Sequence, residues 1–107
     1  SIAAAQYSFA AGVQTNIEAL GTGSFTTGLD TIAQGPYQTA IGRYNVGHTS
    51  QGVLLIVGNG TSDFDRNDVL RVETTKIHLD LAALPTFDPT SIGQLWRDGT
   101  DLKISLG

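Results

Sequence analysis

The sequence predicts an all-β protein, and three observations carry that prediction. Gly21, Gly28, Gly35 and Gly42 stand seven residues apart. No stretch has a persuasive amphipathic helical pattern, the most that Gln14 to Leu20 offers being one short turn. Asp98-Gly99 lies between two alternating stretches as a hairpin signal. A period of seven usually suggests a coiled coil, but glycine costs a helix interior roughly 1 kcal/mol relative to alanine, and the apolar residues keep no a/d pattern. Collagen needs glycine at every third position. What remains is a stack of short strands, with glycine where a coil bends or where backbones come close.

The elements follow in order. Residues 1–49 form the glycine-timed region, with units TNIEALG, TGSFTTG, LDTIAQG and PYQTAIG. A small residue stands two before each glycine (Ala19, Thr26, Ala33, Ala40), as stacked coils require. The irregular unit RYNVGHT is expected to leave the repeat. Residues 50–107 form a strand region continuous with it. Val53 to Val57 is an unbroken apolar run, which predicts a strand covered on both faces. Asn59-Gly60 marks a turn and Thr61 to Asp68 a long polar loop. Val69–Thr74 and Lys76–Leu81 read as strands, the second with Ile77, Leu79 and Leu81 facing in and Lys76, His78 and Asp80 facing out. Pro85 and Pro89 exclude regular structure around them. The Asp98-Gly99 turn then pairs Arg97 with Thr100 and Leu95 with Leu102, setting Leu95, Leu102, Ile104 and Leu106 on one face. The glycines assigned to structural turns are Gly21, Gly28, Gly35, Gly42, Gly60 and Gly99.

Charge is distributed unevenly. Residues 1–62 carry only Glu18, Asp30 and Arg43, and the other thirteen charged residues lie beyond them. A solvated monomer surface carries charge throughout, so a charge-poor half with regularly placed Phe, Tyr, Ile and Leu predicts packing against other chains. The net charge of −4 argues against a nucleic-acid partner. Cysteine is absent, which excludes disulfides and thiolate chemistry, and no apolar run reaches the ~20 residues of a membrane span. The chain starts at Ser1 without methionine, so an excised or processed piece is expected.

The candidate chemical sites are few. Asp63, Asp65 and Asn67 fall at calcium-loop spacing, but Asp68 stands where the EF-hand has glycine, and Thr74 where it has its final glutamate. The simpler reading is a polar loop in which Arg66 neutralises neighbouring carboxylates. A glycosidase would need two carboxylates in an apolar cleft, which crowded aspartates on a turn do not supply. His48 and His78 lack triad or metal-ligand spacing, although three chains around an axis can pool one histidine each. No G-x-S-x-G motif supports a nucleophile, and Gly58 and Gly60 lack the context of a phosphate loop. Trp96 is expected to pack beneath the Pro85–Pro89 loop, or, if exposed, to stack on a sugar ring. The predicted recognition surface is Asp63, Asp65, Arg66, Asp68 and Trp96. No catalytic residue, cofactor or metal is expected.

The run ALGTGSFTTGLDTIAQGPYQTAIGRYN, Ala19 to Asn45, resembles the head repeats of trimeric autotransporter adhesins, the YadA-like left-handed β-roll. LLIVGNGTSDFDRNDVLRV, Leu54 to Val72, looks like segments that follow such repeats in bacteriophage tail-fibre and other virion proteins. LPTFDPTSIGQLWRDGTDLKIS, Leu84 to Ser105, is similar to terminal segments of phage structural proteins. Pro36 at the start of one unit and the nine-residue step from Gly12 to Gly21 depart from the pattern. The resemblance implies a repeat of about fourteen residues and three chains around one axis. It implies a non-enzymatic phage virion module, either a tail fibre or a capsid-decorating fibre or knob. Its expected partners are two further copies of itself and other virion proteins, with a host-surface glycan or protein as a further candidate and no membrane insertion. The alternatives are a bacterial cell-surface adhesin head and a fibre-borne glycan hydrolase.

Overall fold

The computed structural model describes residues 1–17 and 21–107, so the expectation at Ala19 and the last three residues of the Gln14–Leu20 turn lie outside the described residues. The chain is all-β. It opens with three short strands, β1 (Ile2–Ala3), β3 (Asn16–Ile17) and β5 (Ile32–Ala33), which alternate with the longer β2 (Phe9–Val13), β4 (Phe25–Leu29) and β6 (Thr39–Arg43). The short strands pair in parallel as one sheet and the long ones in parallel as another, so each circuit of the chain adds one rung to both. β3 takes the place of the helical turn.

RYNVGHT does not leave the repeat. It forms a corner after which β7 (Val53–Asn59) joins β6 in parallel as the next long rung. The long strands align Phe9 with Phe25, Phe25 with Thr39, and Thr39 with Leu55, giving steps of 16, 14 and 16 residues. Asn45 closes the short sheet at this corner. Its side-chain oxygen accepts the Ile32 N–H at 2.7 Å and its amide nitrogen donates to the Ile32 carbonyl at 2.8 Å, as a neighbouring strand would. β8 (Asp68–Glu73) and β9 (Ile77–Leu79) then extend the long sheet antiparallel to six strands.

Turn chemistry repeats with the coils. Tyr7, Gly23 and Tyr37 hold φ of 56°, 70° and 58° in the same corner of successive circuits. In the second, the Ser24 N–H closes the turn on the Gly21 carbonyl at 3.0 Å. A positive φ at the third residue of such a turn favours proline at the second, which is where Pro36 stands. This proline fits the coil rather than interrupting it. Gly28 and Gly42 lie inside β4 and β6 rather than at turns, with φ of 122° and 92°. A Cβ on Gly28 would collide with the Gly42 carbonyl, and one on Gly42 with that of Gly58. Gly12 belongs to this ladder, aligned with Gly28, which accounts for its nine-residue offset from Gly21.

The interior between the two sheets is narrow. Thr26, Ala33, Ala40 and Ile56 are fully buried, together with Thr31, Gln38 and Asn45. Small and hydrogen-bonded side chains fill it: Ser24 Oγ donates to the Gly35 carbonyl and accepts the Gln38 N–H, both at 2.9 Å. The large apolar residues point the other way. Across the outer face of the six-stranded sheet, one row runs Phe9, Phe25, Thr39, Leu55, Val72 and Ile77, and the next continues through Ile41, Val57, Leu70 and Leu79. The Phe9 and Phe25 rings stack at 5.1 Å, and Phe9, Val13 and Ile77 stay more than half exposed.

Two expectations therefore change. Val53 to Val57 is not covered on both faces by this chain, since Leu54 is exposed on a bulge while Ile56 is buried. Ile77 and Leu81 do not face in: Ile77 is exposed on β9, an edge strand whose apolar side none of the described residues covers, and Leu81 lies past the strand in a 3₁₀ turn, where it is exposed.

After a 3₁₀ turn at Leu81–Ala83, capped by Asp80, the chain forms a separate hairpin of β10 (Leu95–Asp98) and β11 (Asp101–Ile104). Its register differs from expectation: Arg97 pairs with Leu102 and Leu95 with Ile104, so Gly99-Thr100 is the loop. Gly99, at φ 62°, takes the first central position, where a type II′ turn wants glycine. The molecule is elongated, 46 × 28 × 22 Å. Its radius of gyration is 15.3 Å, against about 13 Å for a compact domain of this length.

Candidate functional site

Arg66 organises the loop between β7 and β8. Its Nη2 pairs with Asp30, 36 residues away on the coil, and with Asp63 at 2.6 Å. Its Nη1 donates to the Asp30 and Asn45 carbonyls at 3.0 and 3.2 Å, and the guanidinium lies 5.7 Å from the centre of the Tyr44 ring. Burial works against its charge, but the hydrogen bonds to Asp30 and Asp63 outweigh this and raise its pKa. Asp65 accepts from Thr61 Oγ1 at 2.7 Å within the loop. These contacts fasten the loop to the coil and leave Asp63 and Asp65 as its exposed carboxylates. A hollow of about 450 Å³ beside Ser1 is lined by Asp30, Asp63 and Arg66, whose polar atoms are engaged with one another.

Asp68 behaves differently from its loop neighbours. It is buried, accepting the Val46 N–H at 2.7 Å and facing His48 Nε2 at 2.8 Å. That short contact needs a proton on Nε2, so the approach of Arg71 Nη1 to the same nitrogen at 3.4 Å is not a hydrogen bond. Arg71 Nε donates to Glu73 at 3.1 Å. Arg71 stands opposite His78 across β8 and β9, on the sheet face away from the apolar rows. Asn67 Nδ2 bridges Asn59 at 2.8 Å and Asp80 at 2.7 Å. Together Val46, His48, Asn67, Asp68, Arg71, His78, Asp80 and Leu81 line an open cleft of about 370 Å³ where the coil interior ends and β8–β9 continue past it.

Of the predicted recognition residues, Arg66 and Asp63 are brought together and Asp68 enters this cleft. Trp96 lies on the hairpin, its ring 5.6 Å from Lys103 Nζ on the paired strand and its Nε1 buried without a hydrogen bond. Sequence reasoning left both histidines without a role, yet the fold places them on one cleft. The signal was the β8–β9 alternation that sets Arg71 and His78 on a common face; the 20-residue separation of His48 and Asp68 offered none. Among the described residues no three His, Asp or Glu side chains gather to hold a metal ion, and no helix is long and apolar enough to cross a membrane. A histidine oriented by a buried aspartate is part of an acyl-transfer triad, but among the described contacts no hydroxyl reaches either nitrogen of His48. Comparison with known proteins returns no match: no family model, no curated protein and no solved structure aligns with the chain.

Proposed function

We propose that this chain is a non-enzymatic structural module that works as a homotrimer, its copies packed through the outer face of the six-stranded sheet. The observation that supports this most strongly is the inversion of side-chain size. Alanine, serine and threonine fill the interior, while Phe9, Phe25, Leu29, Val13 and Ile77 stand on a face that the chain itself does not cover. A monomer buries its large apolar residues; contiguous apolar faces left open on a soluble chain are interaction surfaces. The parallel two-sheet coil with its glycine ladder is compatible with a left-handed roll of the trimeric-adhesin kind. The resemblance of Leu54–Val72 and Leu84–Ser105 to phage segments favours a virion setting, a tail fibre or capsid-decorating knob. Light scattering after gel filtration tests the reading: the expected mass is three times that of the chain. A concentration-independent monomer with a cooperative melt would overturn it.

A further inference from the structure

We propose that the cleft bounded by His48, Asp68, Arg71, His78 and Asp80 binds a neutral polyhydroxylated ligand, a single pyranose-sized sugar. The argument starts from the hydrogen-bonding groups left over once internal contacts are counted. Arg71 spends Nε on Glu73, and its Nη2 donates to none of the described groups. His78 is exposed and engages no described partner. The Asp80 oxygens each accept one internal bond, from Ala82 N–H and from Asn67 Nδ2, and each carboxylate oxygen has room for another. The cleft thus presents donors and acceptors side by side. A hydroxyl is the group that serves both, donating to a carboxylate while accepting from a guanidinium or imidazole.

Charge narrows the class. Two carboxylates, Asp68 and Asp80, against the one guanidinium of Arg71 disfavour an anion. The lack of a three-ligand cluster among the described residues disfavours a metal ion. Val46 and Leu81, both exposed apolar side chains on the rim, suit the C–H face of a sugar ring. A volume near 370 Å³ is at the small end of the range of about 300–1,000 Å³ usual for ligand sites. Arg71 and His78 project from the sheet face opposite the apolar rows, and of the lining residues Leu79 alone also belongs to an outer row.

The test is a titration of the intact protein with glucose, galactose, N-acetylglucosamine and glucuronate, followed by two-dimensional NMR of backbone and side-chain N–H groups. The expected result is saturable shifts confined to Val46–His48, Asn67, Arg71 and His78–Ala82, with at least one neutral sugar binding at a Kd of about 1 mM. His78→Ala removes an exposed, unbonded side chain and Asp80→Asn keeps an oxygen for the Ala82 N–H. With circular dichroism unchanged, each should weaken binding at least tenfold. Absence of saturable shifts, shifts mapping elsewhere, binding of glucuronate alone, or variants that bind like the parent would each overturn the proposal.

Discussion

At Gly28 the backbone holds φ at 122°, and the space a side chain would take is filled by the Gly42 carbonyl of the next coil. Valine there meets a steric clash and a disallowed backbone region together, so Gly28→Val should cost about 3 kcal/mol or more per chain. Lys76→Ala, at an exposed side chain, should cost less than about 0.5 kcal/mol. Melting temperatures of the two variants check this, and equal values would count against the coil stack. The need for these glycines was legible in their timing, and so was the need for small residues at Thr26, Ala33 and Ala40, all fully buried. The left-handed conformations of Tyr7, Gln14, Asp30, Tyr37 and Tyr44 were not, because nothing local asks for them. They are imposed by closure of the coil, a tertiary demand that overrides residue preference. A second residue-scale prediction concerns Asp88. The hydroxyl of Ser105, at 2.6 Å, and then the Thr90 N–H, at 2.9 Å, hold its carboxyl below the usual value near 3.8. A depressed folded-state pKa means its contribution is present above the unfolded value and is lost as pH falls through the folded one. NMR titration of the Asp88 carboxyl carbon should show its pKa rise in Ser105→Ala, and an unmoved midpoint would remove the Ser105 hydrogen bond from the account.

Between residue and molecule, strand positions were read well and pairings poorly. The alternation of β8 was visible in sequence, but its outer partner β9 was assigned a buried face on the assumption that every apolar row has a cover within the chain. The C-terminal hairpin shows the same limit more sharply. Asp-Gly is a strong turn signal, yet the chain uses glycine as the first loop residue, so Asp98 pairs with Asp101 as the last rung. Two like charges face each other there, and Lys103 Nζ approaches Asp98 at 3.6 Å. A single position governs the register: Gly99 has open space around it and a φ of 62°, so the penalty for a side chain is conformational rather than steric. Gly99→Ala should cost about 1 kcal/mol, and D-alanine at the same position, whose mirror-image preference suits this region, noticeably less. Thermal melts compare the two, with cross-strand contacts between Arg97 and Leu102 reporting whether the pairing holds. Equal losses for the L- and D-alanine variants would mean that space, not backbone conformation, sets the cost.

For the whole molecule, the coil is a thin wall with a polar cleft on one side and a large apolar face on the other, and the charge-poor first half of the sequence supplies most of that face. Sequence reading reached the idea of packing against other chains through the scarcity of charge. It did not reach the geometry, because the face is assembled from residues as far apart as Phe9 and Ile77, by parallel pairing in steps of 16 and 14 residues and then by the antiparallel strands β8 and β9. Folding and assembly are separable by choice of substitution. Gly28→Val attacks the contact between coils. Phe25→Glu with Leu29→Glu changes only side chains that are 39% and 36% exposed in the single chain, so the coil's internal hydrogen bonds are untouched. In the proposed trimer, placing two carboxylates on the face between copies carries a desolvation penalty in every copy. The double variant should therefore lose the trimer at concentrations where the parent keeps it. If the trimer is obligate, its cooperative melt is lost as well. Sedimentation velocity across a concentration series measures the first effect and calorimetry the second. A double variant that sediments and melts like the parent would place the contact between copies somewhere other than this face.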